Sequence, residues 1–354
     1  MSNSEPVAVV SLPRPGFALP AVLAVTGMVT LIFIVAMTAL QSLNAEAASA
    51  RSRVRFMQRA LTVEANLSYM LTTEPFSSRG LLIGAPRTQD PMQAFLEGEE
   101  PEASRPTGEV RLDGRPYLVE ADGAMLVRLQ DQAGLVNLAY LTPEQGDRLL
   151  ARVGADPAFA RVMRQRVADY VDADALSRPG GAEAEDYPAG AAPPNRQFVR
   201  PDEWLSVLGA RDAVDPRRWR DLRDSLVVDH TLDRMNVNTA SAAAMEVLFG
   251  VRPDQARIAV ERRETAPYLS YEAFASIAGA ADQGRPDAVY TFPGGKVVLI
   301  LRDGVSPWIY RARVSLTPSG LERPLWIDQT DMLEAPRRQA ADTRNVPRLP
   351  YAPR

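Results

Sequence analysis

Twenty-four consecutive residues, Phe17 to Leu40, carry no charge and follow directly on Arg14-Pro15-Gly16. At about 1.5 Å of rise per helical residue, roughly 20 residues cross a bilayer core. The run is too long for the apolar core of an ordinary secretory signal, which holds about 7–15 residues. A chain with this front end is expected to be held in a membrane by it, with some 300 residues hanging from the anchor. A plain signal anchor is the simplest reading.

The residues beyond the run narrow that reading. Met28 to Glu74 contains neither Gly nor Pro, although the chain has 22 Gly and 29 Pro. Ala, Leu, Met, Arg, Gln and Glu fill the segment, and all favour helix. Leu43, Ala47, Ala50, Val54, Met57 and Leu61 recur at steps of four and three, which puts them on one helical seam. Arg51, Arg53, Arg55, Arg59 and Glu64 fall off it. The pattern predicts one helix from about Pro20 to about Thr72, with Pro20 in the first turn, where its missing N–H is harmless. Half would lie in lipid and half would pack on a soluble domain.

Composition limits the chemistry. The chain has no Cys, so disulfides and thiolate metal sites are excluded. His230 is its only histidine, which removes His-based triads and multi-His zinc sites. Net charge is −4, so nothing marks the whole chain as a nucleic-acid scaffold. No nucleophile, general base or cofactor motif stands out, and the chain reads as a non-enzyme with no small-molecule substrate.

Strand-like pieces are expected at 108–112, 115–120 and 124–130, with Asp113-Gly114 as a hairpin turn. The stretch from Glu74 to Thr107 reads as loop. From Leu141 to about Ala280 the pattern is helical, beginning with a cap and a first-turn Pro in Leu141-Thr142-Pro143-Glu144. Strands return at 289–292, 297–301, 308–316 and 324–327. The order of helix, strands, helices and strands predicts an α+β fold carrying an inserted helical domain, since neither strand group makes a sheet alone.

Two further motifs stand out. Asp169, Asp172, Asp174 and Glu183 surround Gly180-Gly181 at a helix end. Oxygen ligands on a loop suit Ca²⁺, and Asp172, Asp174 and Glu183 converge if the loop folds back. The alternative is a solvated acidic loop, or acids paired with Arg178. Met235-Asn236-Val-Asn238-Thr239-Ala240 precedes two short helices around Gly250, and Asn238 or Thr239 is expected to cap the first. This looks like a helix-hairpin-helix, which in a membrane-anchored DNA-binding protein would grip phosphate. Pro253 removes a hairpin N–H and the flanking charge is mixed, so a structural hairpin is the stronger reading. Gly16 followed by Phe17 at the front of a long apolar helix is the pattern cut by a prepilin-type peptidase.

Taken together, Arg14-Pro-Gly-Phe-Ala-Leu, Asp131-Gln-Ala-Gly134-Leu-Val-Asn137-Leu, Asp169–Asp174 with Gly181-Ala-Glu183 and Tyr187, Pro194-Asn195 with Asp202-Glu203-Trp204-Leu205, and Asn236-Val-Asn238-Thr-Ala resemble the K-type minor pseudopilins (GspK family) of type II secretion, over about residues 14–328. The resemblance implies a pilin-like fold, a long N-terminal helix packed on a small antiparallel sheet, with a large all-α inserted domain. The implied divisions are a leader at 1–16, a transmembrane half-helix at 17–40, its amphipathic half at 41–72, a pilin-like domain at 73–137 and 286–328, and the helical insertion at 138–285; residues 329–354, rich in Pro, Arg and Asp, lie outside the family pattern and read as a disordered tail.

The same resemblance implies cleavage between Gly16 and Phe17 by the prepilin peptidase, with N-methylation of Phe17. It implies a structural Ca²⁺ in the insertion, held by Asp172, Asp174 and Glu183. It also implies a single-pass inner-membrane protein with a periplasmic C-terminal domain, at the tip of the pseudopilus. The I-type and J-type minor pseudopilins and the major pseudopilin would be partners, met through the seam of Leu43, Ala47, Ala50, Val54, Met57 and Leu61. The fifth residue after the cut is Ala21, where most pilins carry a Glu that pairs with a neighbour's N-terminal amine. The K type typically lacks that Glu, and a tip subunit has no neighbour above it to neutralise.

Overall fold

In the computed structural model of the chain, residues 18–84, 107–280, 289–317, 322–334, 343 and 345–351 are described. Gly16 and Phe17, the expected cleavage pair, lie outside them, as does most of the expected loop before Thr107. One helix, α1, runs Ala18–Thr73. The chain divides into two units, Met1–Arg55 and Phe56–Arg354.

In the first unit every side chain from Leu19 to Arg51 is exposed. Thr26 and Thr30 return their hydroxyls to the carbonyls of Val22 (2.7 Å) and Thr26 (2.8 Å), one turn back. Their polar groups are therefore satisfied within the helix, as a lipid environment requires. α1 is long and apolar enough to cross a membrane.

The second unit holds the sheet. β1 (Gly80–Ile83) pairs antiparallel with β2 (Gly108–Arg111). β3 (Asp113–Glu120) and β4 (Ala124–Asp131) form an antiparallel pair. Four short strands, β5 (Val136–Asn137), β6 (Leu226–Val227), β7 (Met235–Asn236) and β8 (Val289–Tyr290), make two parallel pairs, β5 with β6 and β7 with β8. β9 (Lys296–Asp303), β10 (Trp308–Leu316) and β11 (Leu325–Glu334) complete a five-stranded antiparallel sheet of order β11-β10-β9-β4-β3. β4 and β9 are spatial neighbours, so everything between them is an insertion at the middle of the sheet.

One sheet face is covered by α1. Phe56, Ala60, Val63, Leu67, Met70 and Leu71 are buried together with Val127, Leu129, Leu299, Leu301, Tyr310 and Ala312. These helix positions also step by four and three, but they are not the expected seam. Leu43, Val54 and Leu61 are exposed, Ala47 and Ala50 likewise, and Met57 packs only in part. Shifting a stripe by one residue turns it by about 100°. The sequence offers two stripes of similar hydrophobicity, and polar partners decide between them. Arg59 donates to the carbonyls of Ala121 (2.9 Å) and Gly123 (3.1 Å) and to Asp303 (2.9 Å). Glu64 is buried and accepts from the Tyr310 hydroxyl. Both residues look solvent-facing by type, yet both anchor the helix to the sheet.

Three more differences have local causes. Asp113-Gly114 is not a hairpin turn: β2 pairs with β1, and Gly114, at φ +77°, sits at a β3–β4 bulge. The loop expected after Glu74 therefore contains β1. The tail is ordered in part, because β10 offers an edge that β11 takes as far as Glu334. At the other edge Leu118 donates to the Pro347 carbonyl (2.8 Å) and accepts from the Leu349 N–H (2.9 Å), while Leu349 and Tyr351 pack on the core.

The insertion holds α2 (Pro143–Arg152), α3 (Pro157–Val171), α4 (Ala210–Ala213), α5 (Pro216–Arg223), α6 (Ala242–Phe249), α7 (Pro253–Thr265) and α8 (Tyr271–Ala278). α2 begins with a capping box, Thr142 with Gln145, and Pro143 in the first turn. The helices share one core, around Leu149, Met163, Trp204, Trp219, Phe249 and Phe274.

Asp131 fastens insertion to sheet. Fully buried at the end of β4, it accepts from Ala133 N (3.2 Å), Gly294 N (3.1 Å), Asn236 Nδ2 (2.9 Å) and Thr239 Oγ1 (2.8 Å). A Cβ on Gly134 would lie 2.6 Å from the Thr239 backbone, so glycine alone permits this approach. Thr239 and Asn238 are consumed here: Asn238 donates to the Tyr268 and Thr291 carbonyls, each at 2.9 Å. Neither caps the following helix, and Ser241 does so instead, accepting from Ala244 N at 3.1 Å.

A second tie is an ion pair between Asp229 and Lys296, at 2.7 Å. Burial alone would raise the Asp229 pKa, but Lys296 and Thr231 outweigh it and hold it below the ordinary value. A depressed folded pKa contributes stability above the unfolded pKa, and that contribution is lost as pH falls through the folded value. Asp229→Asn is therefore expected to destabilise the protein by about 1–3 kcal/mol at pH 7. The gap to wild type should close as pH is taken below about 4. Thermal melts of both proteins from pH 7 to pH 3 check this, and a gap that stays constant would contradict it.

Candidate metal centre and assembly helix

The acidic loop starts where α3 ends. Asp169 is fully buried in the last turn of α3 and organises the loop beyond it. Its Oδ2 accepts from the backbone N–H of Arg178 (3.1 Å) and Ala182 (3.0 Å), and its Oδ1 accepts from the Arg178 guanidinium (2.6 Å). A Cβ on Gly181 would fall 1.8 Å from Asp169 Oδ2, and Gly180 has φ +81°. Both positions need glycine for the loop to fold back on the helix end.

That fold-back brings Asp172, Asp174 and Glu183 together. One carboxylate oxygen from each lies within 4.8 Å of the other two. Asp172 is half-buried, Asp174 exposed and Glu183 buried. Both Glu183 oxygens and Asp172 Oδ1 are buried without a hydrogen-bond partner. Burial raises the Glu183 pKa, and the charges of Asp169, Asp172 and Asp174 add to it. Arg178 also bonds the other Asp172 oxygen, so the expected Arg178 pairing coexists with the converged acids. Beside them Asn195, at φ +47°, donates to the Asp174 carbonyl (2.9 Å), and its Oδ1 is buried without a partner. Asn tolerates this left-handed backbone better than most residues, and it is what turns Pro194-Asn195 toward the acidic loop.

These donors fit a hard divalent cation. Buried carboxylate oxygens without donors are costly unless protonated or ligated. Ca²⁺ ligands stand about 2.3–2.6 Å from the ion, so oxygens up to about 5 Å apart share one.

The hairpin around Gly250 is engaged within the insertion. Gly250 takes the left-handed conformation that ends α6, and Pro253 opens α7. Arg148 donates to the carbonyls of Val247 (2.7 Å) and Leu248 (3.1 Å) just before it. Arg263 is buried against the Val237 and Ala240 carbonyls, and Arg252 pairs with Asp254 at 2.6 Å. Most of the basic residues that would meet phosphate are spent on the protein itself. On α1, the exposed seam of Leu43, Ala47, Ala50, Val54 and Leu61 is free to face another helix.

Residues 126–228 match the family described as Type II secretion system (T2SS), protein K. The matched segment includes Asp131, the whole acidic loop and Trp204. The type II secretion system protein K of Pseudomonas aeruginosa is 32% identical over 173 residues, covering 45% of this chain and 50% of that protein. The chain thus spans half the length of that curated relative. A chain in the crystal structure of the GspK-GspI-GspJ complex from enterotoxigenic Escherichia coli has a TM-score of 0.52, over 81% of this chain and 99% of that one. At 14% identity this likeness is one of fold, and the pilin-like α+β architecture is shared.

Proposed function

We propose that this chain, whose residues 126–228 match the type II secretion system protein K family, is a member of that family and serves as a structural minor pseudopilin. Its long helix waits in the inner membrane and is drawn into a filament tip when it meets I-type and J-type partners. The periplasmic unit carries the sheet and its helical insertion, and the insertion holds a structural Ca²⁺. Cleavage after Gly16 frees Phe17 for assembly at the tip, with the major pseudopilin added below it.

The observation that carries this reading is the family match, joined to a fold in which a helical insertion interrupts adjacent sheet strands. A bulky insertion would clash inside a helical stack, and a tip has room for it. The exposed seam of Leu43, Ala47, Ala50, Val54 and Leu61 supports helix-to-helix contact with the partners. Ca²⁺ would supply only charge neutralisation and cross-linking here, with Asp172, Asp174 and Glu183 as its protein ligands.

Co-expression with the I-type and J-type pseudopilins of the same organism tests assembly. A stable ternary complex is expected to purify, and Val54→Glu with Leu61→Glu should abolish it while leaving the melting temperature unchanged. Purification of the chain without either partner would overturn the proposal.

A further inference from the structure

A cleft of about 60 Å³ opens on the sheet face opposite α1, between β10, β11 and the insertion. Arg200, Arg223, Arg311 and Arg313 line it, against only two acids, Asp202 and Asp331. Four guanidinium groups and two carboxylates leave a surplus of two positive charges in the lining.

Asp202 is taken by Arg223. Asp331 stands opposite Arg311 in the β10–β11 register but serves others: it lies 3.4 Å from Arg200 and accepts from Gln329 Nε2 at 2.9 Å. Arg311 keeps one long bond, 3.4 Å to the Leu226 carbonyl. Arg313 donates to the Val228 carbonyl, and its Nε is buried with no partner. Among the described residues no carboxylate pairs with Arg311 or Arg313. Burial holds the Arg311 pKa below its ordinary value; nearby Asp224 and Asp331 oppose this, while Arg223 and Arg313 add to it. Half-buried guanidinium groups without counter-charges are costly, and their planar forks match oxyanions.

We propose that this cleft is a binding site for a single oxyanion group, either a carboxylate of an acidic polypeptide segment or a free phosphate. The volume admits one such group with a water or two, and excludes a nucleotide. The anion would bridge Arg311 and Arg313, satisfy the orphaned Arg313 Nε–H and tie the sheet to the insertion.

The test is calorimetric titration of the full chain in neutral detergent with inorganic phosphate and, separately, with a Glu-rich peptide. Saturable binding of at least one probe is expected. Arg311→Met should weaken it by roughly 30-fold or more. Asp331→Asn, which frees Arg200, should tighten it, and this variant keeps the test alive if Arg311→Met does not fold. Phosphate binding stronger than peptide binding identifies a free ion as the source, and the reverse identifies a partner's carboxylate. Binding of neither probe, or affinities that neither variant changes, would overturn the site.

Discussion

Gly16→Val is expected to cut leader removal by about a hundredfold and to abolish incorporation of the chain into a pseudopilus. A peptidase must bring its reacting atoms to about 3–3.5 Å of the scissile carbonyl, and misplacement by an ångström costs a factor of this size. Valine adds a branched Cβ at the residue that donates that carbonyl and restricts its backbone as well. The uncut chain keeps sixteen extra residues, including Arg14, ahead of the apolar run. A charged leader holds the helix at the cytoplasmic face and blocks its passage into the filament. Immunoblots of membranes give the readout, as a band heavier by the leader. Normal processing of the variant would refute the assignment of the junction.

The second large effect concerns the acidic loop. A ligand that binds only the folded state at a hundred times its Kd stabilises by about 2.7 kcal/mol. For the unit Phe56–Arg354 the melting temperature should rise by about 4 °C when Ca²⁺ replaces a chelator. The variants separate a bound ion from a general salt effect. Asp172→Asn with Glu183→Gln should lose the shift altogether. In chelator, Glu183→Gln alone should be at least as stable as wild type, because it removes a buried charge crowded by Asp169, Asp172 and Asp174. Coincident melting curves with and without Ca²⁺, or a shift that survives the double variant, would remove calcium from the account.

The legible parts of this chain are those whose signal is local. A helix free of breakers from Met28 to Glu74 left little choice, and α1 runs Ala18–Thr73. Thr142-Pro143 marks the start of α2 because cap and first turn are contiguous in sequence. The acids Asp172, Asp174 and Glu183 converge because two glycines nearby permit the fold-back.

The features that stayed hidden depend on distant partners. Hydrophobic period alone could not choose between the Leu61 stripe and the Ala60 stripe; the choice lies with Arg59 and Glu64, whose partners are Asp303 and Tyr310, more than two hundred residues away. Asn238 and Thr239 have good capping side chains, but Tyr268 and Asp131 claim them first. The second half of β11, Gln329–Glu334, is polar enough to read as tail, and continues the strand because β10 offers an edge. Arg311 and Arg313 gave no signal in an Arg-rich chain, since their meaning comes from register with Asp331 and Gln329.

The most direct test of the pseudopilin reading is N-terminal sequencing of the chain extracted from membranes of cells that express the secretion system. The account predicts a mature chain beginning at Phe17, with its amine methylated. A chain that still begins at Met1, or one cut beyond Leu40 by a signal peptidase, would contradict it.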